Sequence, residues 1–575
     1  MNQLNLKTLQ NYLSSIYKNH SHKEIKTLSS EIKKIFSRSS NKQVSKELWD
    51  EKDCFLITYA DSVVDEKQNN FKILNSFLNK FCKNFSFIHI LPFYPYSSDD
   101  GFAVKDYKKI KKEHGTWNDF SKLSSKFKIM SDLVINHCST ENQLFKNFLN
   151  KTEPGLDFFI SSKKNFSRFS KVVRPRSSEL SKKVRVDGKN EFVWCTFSHD
   201  QVDFNFKNPK VLIYFLEVIK LYLDKGTKAL RLDAVAFLWK EEDTKCINLP
   251  ETHLIIRLIR LLVEFYSGNC LIITETNIPS HENLSYFGNN NEAHCIYNFS
   301  LAPLLVHAVI SGNSTYLKQW SRSMPPAQFG NSYLNFLSTH DGIGLRPLEG
   351  ILPNNELEKF ISTLQNSGAH LTYRISQKKK TVYEVNTTLL DALKYSYSGK
   401  DNFNIKRFLL AHEILLSMEG IPAIYIQNLL GSKNDIVKLK LTKLNRSINR
   451  RNWNFEEIKR LLEKKKTLNS KVYSSITKLI LLRQKQPAFH PNATQFTLQL
   501  PIYLFGIWRQ SLDRSQSIFC ISNLSKKKKK MSLLDINLIA TNSWYDILSK
   551  KTVKDISGDF TLLPYQSIWL TNKKF

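Results

Sequence analysis

Three acidic residues each follow an apolar segment that is typical of a buried β-strand. Asp233 ends the segment ALRLD, Glu275 follows CLIIT, and Asp341 follows NFLSTH. Carboxylates are the side chains that serve as nucleophiles and as general acids or bases. Because parallel strands present their carboxyl ends on one face of a barrel, we expect the three acids to share one site.

Arg231 and Asp233 are two residues apart on a predicted strand, so both side chains point to the same face. A guanidinium beside a carboxylate favours the charged form of the carboxylate. We therefore expect Arg231 to keep Asp233 ionised, as a nucleophile requires. An isolated Arg-x-Asp pair is more often a buried structural ion pair, but the matching acids Glu275 and Asp341 favour the catalytic interpretation.

Short apolar segments alternate along the chain with amphipathic segments of helical length. The eight apolar segments are residues 54–59, 85–91, 127–134, 229–233, 270–274, 294–297, 333–338 and 421–426. This alternation is typical of βα units and of a parallel sheet. It predicts an α/β fold, a (β/α)8 TIM barrel whose C-terminal face carries the three acids.

The chain is long enough for several domains. We predict an N-terminal helical extension at residues 1–50, a catalytic barrel at 51–486 and a C-terminal β domain at 487–575. In the last part the helical pattern gives way to short alternating runs, which predicts a β-sandwich-like domain. Insertions at about 139–208, after the third strand, and about 342–401, after the seventh, are too long for simple loops and are expected to cover the site.

The composition is strongly basic. The chain has 575 residues and a formal net charge of +32. Such a charge could indicate nucleic-acid binding. The lysines are spread along the whole chain and are not interleaved with aromatic residues, so we expect solvent-exposed lysines and no nucleic acid partner. A positive field would still attract a small anionic substrate such as phosphate.

The cysteines and the N-terminal segment indicate the cellular location of the protein. None of the eight cysteines forms a CxxC pair, and several lie in apolar segments where cysteine is a small buried hydrophobic residue. The first 30 residues lack an apolar signal region, and no apolar stretch approaches the length of a membrane span. We predict a reduced cytoplasmic protein with no membrane partner, either a monomer or a homodimer.

Four ordered motifs together are far more specific than any one alone. They are DLVINH at 132–137, RLDAV at 231–235, TETN at 274–277 and STHD at 338–341. In these motifs the chain resembles glycoside hydrolase family 13, the α-amylase superfamily. It is similar in particular to the branch of sucrose phosphorylase and glucosylglycerate phosphorylase in LPFYPYSSDDGFAVKDY (91–107), in the segment from Arg231 to His253, in HDGIGLRPLEG (340–350) and in NRSINR (445–450).

The resemblance implies a role for each acid. Asp233 matches the nucleophile, Glu275 the general acid/base, and Asp341 the third carboxylate that stabilises charge in the transition state. The residues that match those binding the glucosyl unit are Asp99, His137, Phe197, Arg231, His340 and Arg446. In a retaining site of this type, Glu275 must carry a proton near neutral pH, so we expect burial or a neighbouring carboxylate to raise its pKa.

The resemblance also implies the second substrate. Arg176, in the first insertion, matches the arginine that contacts phosphate in this branch. The implied function is a retaining α-glucosyl phosphorylase that transfers glucose from an α-glucoside to inorganic phosphate through a covalent intermediate on Asp233. No cofactor is implied. No metal is expected either: Asn136 lies where many α-amylases supply a calcium ligand, but the first insertion has no dense cluster of Asp and Asn.

Two positions differ from sucrose phosphorylases proper, which tend to carry His two residues after the acid/base and Gln in the second insertion. This chain has Asn277 and Glu384 there. Both residues are similar to those of glucosylglycerate phosphorylases, so of the two substrates, glucosylglycerate and sucrose, we expect the first to react faster. Arg176 would then contact glycerate as well as phosphate, and Glu384 would accept hydrogen bonds from the glycerate hydroxyls, so that Glu384→Gln should shift kcat/KM towards sucrose. A retaining α-glucosidase or transglucosylase remains an alternative. A non-catalytic scaffold is a remote one, because all three acids are present.

Overall fold

The computed structural model describes residues 5–37, 47–176, 178–376, 379–533, 536, 543–553 and 559–574. Eight parallel strands form a closed barrel in which neighbours follow chain order. They are β1 (Phe55–Thr58), β2 (Phe87–Ile90), β3 (Lys128–Val134), β4 (Thr227–Asp233), β5 (Leu271–Thr274), β6 (Cys295–Tyr297), β7 (Ser332–Asn335) and β8 (Ile421–Tyr425). The predicted (β/α)8 TIM barrel is confirmed.

The seventh strand is shorter than its apolar pattern predicts. β7 ends at Asn335, where the side-chain amide donates to the carbonyl of Glu419 at 2.6 Å. Residues 336–340 then leave the sheet and line the pocket described below. Periodicity could not reveal this, because residues that line a buried pocket are as apolar as those of a buried strand.

Helices cover the outside of the barrel. They are Asn70–Phe81 after β1, Trp117–Ser124 after β2, Pro209–Asp224 after β3, Pro250–Ser267 after β4, Ser280–Leu284 after β5, Leu301–Ser311 and Thr315–Ser323 after β6, Asn404–Ser417 after β7, and Ile426–Leu429, Ile436–Thr442, Phe455–Glu463 and Leu468–Arg483 after β8. The helix before β4 begins at Pro209, with the Asn208 side chain accepting from the Lys210 N–H. It ends before Gly226, whose φ of +99° allows the turn into β4.

Both predicted insertions contain small antiparallel sheets. The first has a helix at Gln143–Leu149, strands at Ser161–Ser162, Ser181–Val186 and Lys189–Trp194, and a pairing of His137–Ser139 with Gln201–Asp203. The second has strands at Ile343–Gly344, His370–Ser376 and Lys379–Asn386, helices at Asn354–Asn366 and Leu389–Ala392, and a hairpin of Tyr395–Ser396 with Gly399–Lys400. Short 3₁₀ turns lie at Asp99–Gly101, Lys112–His114, Val235–Phe237, Ser285–Phe287, Arg346–Leu348, Asn445–Asn449 and Pro487–Phe489, and Val63–Val64 pairs with Trp453–Asn454.

The N-terminal segment packs on the outside of the barrel. Its helices, Leu6–Ile16 and His22–Ile35, contact the helices Pro250–Ser267 and Pro209–Asp224 respectively. Residues 38–46 of the predicted extension lie outside the described residues. In the part of the chain that the structure describes, no helix is both long and apolar enough to cross a membrane.

The C-terminal segment forms two sheets, as predicted. The larger has the order Thr494–Thr497, Leu504–Gln510, Ser517–Asn523, Ser567–Thr571, Trp544–Asp546 and Lys551–Val553, and the smaller pairs Lys529–Ser532 with Asp559–Leu562. Side chains of both sheets share one apolar core, with Phe519 and Trp544 from the larger sheet and Met531 and Leu562 from the smaller. The domain boundaries at residues 50 and 486 stay predictions.

Candidate active site

A pocket opens at the carboxyl ends of the barrel strands, between the barrel and the two insertions. Its lining includes the predicted site residues Asp99, His137, Arg176, Phe197, Asp233, Glu275, Asn277, His340, Asp341, Glu384 and Arg446. The remaining one, Arg231, lies beneath Asp233 and is 2% exposed. The fold therefore brings together residues from β4 and from the connections that follow β2, β3, β5, β7 and β8.

The strand register places Asp233 beside Glu275. Leu232 of β4 is paired with Thr274 of β5, so each acid follows directly at the end of its strand. Ala234 then adopts a left-handed conformation with φ of +51°, which costs an alanine roughly 1 kcal/mol. In this conformation its N–H donates to Oε2 of Glu275 at 3.1 Å. The turn after β4 thus orients the carboxyl group at the end of β5.

Arg231 connects the acids from below. Its Nη1 donates to Oδ1 of Asp233 at 2.7 Å and also to Oδ1 of Asp132. Its Nη2 lies 3.9 Å from Oε1 of Glu275. On the other side, Asp132 is 2.7 Å from Nε2 of His89. This buried network fixes the guanidinium before any substrate arrives.

Burial raises the pKa of both Asp233 and Glu275 above their ordinary values, because a charged carboxylate loses its hydration there. Arg231 acts against this rise, and repulsion adds to it, from Glu275 at Asp233 and from Asp341 at Glu275. Burial thus opposes the effect of Arg231 on Asp233, and the expectation that Arg231 keeps Asp233 ionised stays a prediction. Arg231 lies 2.7 Å from Asp233 but 3.9 Å from Glu275, so its guanidinium favours the charge on Asp233 over the charge on Glu275.

Asp341 has the opposite electrostatic environment. Burial acts to raise its pKa, but Arg446 and Arg450 outweigh it and hold the pKa below the ordinary value. Nη1 of Arg446 lies 2.6 Å from its Oδ1, and Nη2 of Arg450 lies at 3.7 Å. The Asn449 amide donates to the Asp341 carbonyl at 3.0 Å and fixes the loop. Asp341 is thus held in its charged form.

Glu384 is bound to the same arginine. Its Oε1 accepts from Nε of Arg446 at 3.1 Å, and its Oε2 accepts from Nη2 at 2.7 Å. The Gly342 N–H also donates to Oε1 at 2.7 Å, and Glu384 is 2% exposed. The carboxylate therefore neutralises Arg446 and ties the second insertion to the loop after β7. Its predicted contact with glycerate hydroxyls stays a prediction.

Two buried histidines and two aromatic rings form another wall. The His340 ring stacks on Phe102, with 4.9 Å between centroids and 6° between planes, and the His137 ring lies 4.9 Å from that of Phe197. Burial lowers the pKa of His137 to about 4 and that of His340 well below its ordinary value. Both imidazoles are therefore neutral at pH 7. Asp99 completes this side, 3.8 Å from Nη1 of Arg446.

The side of the pocket formed by the insertions is different. The Arg176 guanidinium lies over the Phe197 ring, 5.8 Å from its centroid. Nδ2 of Asn277 is 3.5 Å from the Tyr383 hydroxyl. Arg346 also lines this side, and sequence reasoning missed it. The only available signal was its position in the segment HDGIGLRPLEG, since it follows no strand. Phe102, Gln201, Tyr383 and Arg450 were also missed.

A lysine lies where the sequence raised the question of calcium. Nζ of Lys240 is 2.7 Å from Oδ1 of Asn136 and 2.8 Å from Oδ2 of Asp203, and all three side chains are buried. The ammonium group thus satisfies oxygens that would otherwise suit a cation. Across the described ranges, no group of three or more His, Cys, Asp or Glu side chains could hold a metal ion.

Comparison with known proteins agrees with this geometry. Residues 83–470 match the family model described as "Alpha amylase, catalytic domain". The chain belongs to this α-amylase family. Over 533 residues it is 38% identical to the glucosylglycerate phosphorylase of Escherichia coli (strain K12), covering 92% of this chain and 93% of that protein.

Two further relatives resemble the chain over most of its length. The glucosylglycerate phosphorylase of Spirochaeta thermophila is 36% identical over 518 residues, covering 90% of this chain and 87% of that protein. Among solved structures, the sucrose 6F-phosphate phosphorylase from Thermoanaerobacter thermosaccharolyticum superimposes with a TM-score of 0.72 at 25% identity, covering 89% of this chain and 98% of that one. The chain is thus similar to phosphorylases beyond its barrel as well.

Proposed function

We propose that this protein is a retaining α-glucosyl phosphorylase that transfers glucose from an α-glucoside, glucosylglycerate in preference to sucrose, to inorganic phosphate. The observation that carries the proposal is the near full-length similarity to glucosylglycerate phosphorylases. The juxtaposition of Asp233, Glu275 and Asp341 in one pocket supports it. The product is α-glucose 1-phosphate.

In the first half-reaction, Asp233 attacks the anomeric carbon and forms a covalent glucosyl ester. Glu275 gives its proton to the glycosidic oxygen as the bond to the leaving group breaks. The raised pKa of Glu275 suits this donation near neutral pH. Asp341 remains charged and stabilises the positive charge that develops on the sugar ring.

In the second half-reaction, a phosphate oxygen attacks the anomeric carbon from the side that the leaving group vacated. Glu275, now deprotonated, accepts the phosphate proton, and the bond to Asp233 breaks. Two inversions give net retention. Phosphate requires a cation beside the acids, and Arg176 is the cation that we assign to it.

Product analysis tests this function. The protein is incubated with glucosylglycerate or sucrose, with and without phosphate, and the products are followed by ¹H and ³¹P NMR. We expect α-glucose 1-phosphate, formed only with phosphate and faster from glucosylglycerate. Free glucose or transfer to a sugar as the main product would favour the α-glucosidase or transglucosylase alternative. The β-anomer would exclude double displacement.

A variant pair tests the assignment of phosphate to Arg176. Arg176→Gln should raise the KM for phosphate by about 30-fold, since it removes a charge-assisted hydrogen bond. Arg185→Gln removes the same charge from an exposed position in the same insertion and serves as the matched control. An equal effect of both variants would show that only the general field matters.

A cytoplasmic location, the absence of cofactors and of a nucleic acid partner, and a monomeric or homodimeric state stay predictions. None of them is needed for the reaction proposed here.

A further inference from the structure

Arg346 lies in the pocket wall formed by the second insertion. It begins the 3₁₀ turn Arg346–Leu348, two residues after Gly344, which packs against the side chain of Asn277. A Cβ atom at Gly344 would lie 3.0 Å from Nδ2 of Asn277. The backbone of this segment is fixed by the Leu345 N–H, which donates to the Tyr383 carbonyl at 3.0 Å. Arg346 and Asn277 therefore belong to one continuous wall.

The Arg346 guanidinium is a cation without an anion. Among the residues that the structure describes, no carboxylate lies within 4.0 Å of it, and its buried Nε has no hydrogen-bond partner. The acids of the neighbourhood are engaged elsewhere: Glu349 is bound to Arg374, and Glu282 accepts from Asn248. A partly buried charge left unpaired is costly, so such a group indicates a bound anion.

Asn277 offers the complementary group. Its Oδ1 is buried and has no hydrogen-bond partner, while its Nδ2 faces the Tyr383 hydroxyl. The wall thus presents an unpaired acceptor together with an unpaired cationic donor. A small molecule that carries both a carboxylate and a hydroxyl would satisfy both groups at once.

We propose that Arg346 binds the carboxylate of the leaving group while Asn277 accepts a hydrogen bond from one of its hydroxyls. This inference rests on the proposed phosphorylase function and adds a specificity-determining residue to it. The negative charge of Glu384 does not oppose such a ligand, because Arg446 neutralises it.

Phosphate is the other anion of the reaction, and the two arginines differ in their relation to the acids. The charge of Arg176 contributes to the lowered pKa of Asp341. Arg346 instead lies near Tyr383 and Glu349, and burial lowers the pKa of its guanidinium. We therefore assign phosphate, which must approach the reacting acids, to Arg176. The outer part of the leaving group is assigned to Arg346.

The test compares two acceptors that differ only by the carboxylate. In the direction of synthesis from α-glucose 1-phosphate, kcat/KM is measured for glycerate and for glycerol. Arg346→Gln should lower the ratio of glycerate to glycerol by about 30-fold, as expected for the loss of one charge-assisted hydrogen bond. Arg346→Lys, which keeps the charge, should recover part of that ratio.

The matched control is Lys359→Gln, which removes a positive charge from an exposed position on the helix Asn354–Asn366 of the same insertion. It should change the ratio by less than about threefold. If Arg346→Gln lowers both acceptors equally, or raises the KM for phosphate without changing the ratio, the inference is wrong although the protein is a phosphorylase. If the unmodified protein yields no α-glucose 1-phosphate from any α-glucoside, the proposed function itself fails.

Discussion

The pocket has two halves that differ in how their charges are compensated. The reacting half contains Asp233, Glu275, Asp341, Arg231, Arg446 and Glu384, and each of these groups has an opposite charge within 4.0 Å. The leaving-group half contains Arg176, Asn277 and Arg346. Neither of its arginines has a carboxylate within that distance among the described residues.

This difference corresponds to two tasks: the glucosyl transfer is the same for every substrate, whereas the leaving group must be selected. Compensated charges hold their positions without a ligand, as electrostatic catalysis of a fixed glucosyl transfer requires. Uncompensated cations gain most from an anionic ligand, so they discriminate between ligands by charge. The predictions below test whether the two halves respond differently to the loss of one group.

The largest effect is expected in the reacting half. Asp233→Asn and Glu275→Gln should each lower turnover by at least ~10³-fold and leave the protein folded, because each removes a chemical step and not packing. Initial rates of phosphorolysis and circular dichroism check this. An active Asp233→Asn variant would show that another residue is the nucleophile.

A substrate that needs no acid distinguishes the two roles. α-Glucosyl fluoride has a leaving group that departs without protonation, so it should recover much of the first half-reaction in Glu275→Gln and none in Asp233→Asn. Equal recovery in both variants would contradict the assignment of nucleophile and acid.

Arg231, Asp233 and Glu275 of the reacting half were predictable from the sequence because they lie at the ends of barrel strands. Apolar segments that end at Asp233 and Glu275 predict both the barrel and the face on which the acids lie. The motif around His137 added the neighbouring wall. At these positions, the apolar pattern that predicts the strands also predicts where the site lies.

The leaving-group half was less predictable because loops position it. Arg346 lies in an irregular turn whose place depends on the packing of Gly344 against Asn277, a contact between distant segments. In the reacting half, the pairing of Glu384 with Arg446 is equally non-local, so the sequence could not reveal this ion pair. Partners of this kind leave no periodic signal.

Behind the reacting half, the charge of Lys240 compensates that of Asp203. Lys240→Met keeps the length of the side chain but leaves Asp203 as a buried charge without its ammonium partner, which should cost about 3 kcal/mol of stability. Lys207→Met is the matched control, because Lys207 forms an exposed ion pair with Glu241 and should change stability by less than about 1 kcal/mol. Urea unfolding measures both variants.

The site around Lys240 also tests the prediction that no metal is required. Dialysis of the unmodified protein against EDTA should leave its activity unchanged, since the ammonium of Lys240 already neutralises Asp203. A loss of activity that calcium restores would contradict this interpretation.

The neutral histidines beside the reacting half make the stability of the protein sensitive to acid. The pKa of His137 is about 4 in the folded protein and about 6.5 when unfolded, so the unfolded state binds more protons between these values. Stability therefore falls as the pH decreases from 6.5 towards 4, by about 2 kcal/mol at pH 5 for this residue. His137→Gln should lose less stability between pH 7 and pH 5 than the unmodified protein, by that amount.

Urea unfolding at both pH values gives this difference. His281→Gln is the control, because His281 is exposed on the helix Ser280–Leu284. If the unmodified protein and His137→Gln lose equal stability, the histidine is not buried in its neutral form.

Among the substitutions in the pocket, the smallest effect on activity is expected for Glu384, which neutralises Arg446 at the boundary between the halves. Glu384→Gln removes the charge but keeps the shape, and leaves Arg446 with excess positive charge beside Asp341. Because Arg446 belongs to the reacting half, kcat/KM should fall by about tenfold for glucosylglycerate and for sucrose alike. Glu349→Gln removes an exposed acid of the same insertion and should leave both values within about twofold. A selective shift towards sucrose, without the common loss, would instead support the direct contact with glycerate that the sequence predicts for Glu384, and would assign Glu384 to the leaving-group half.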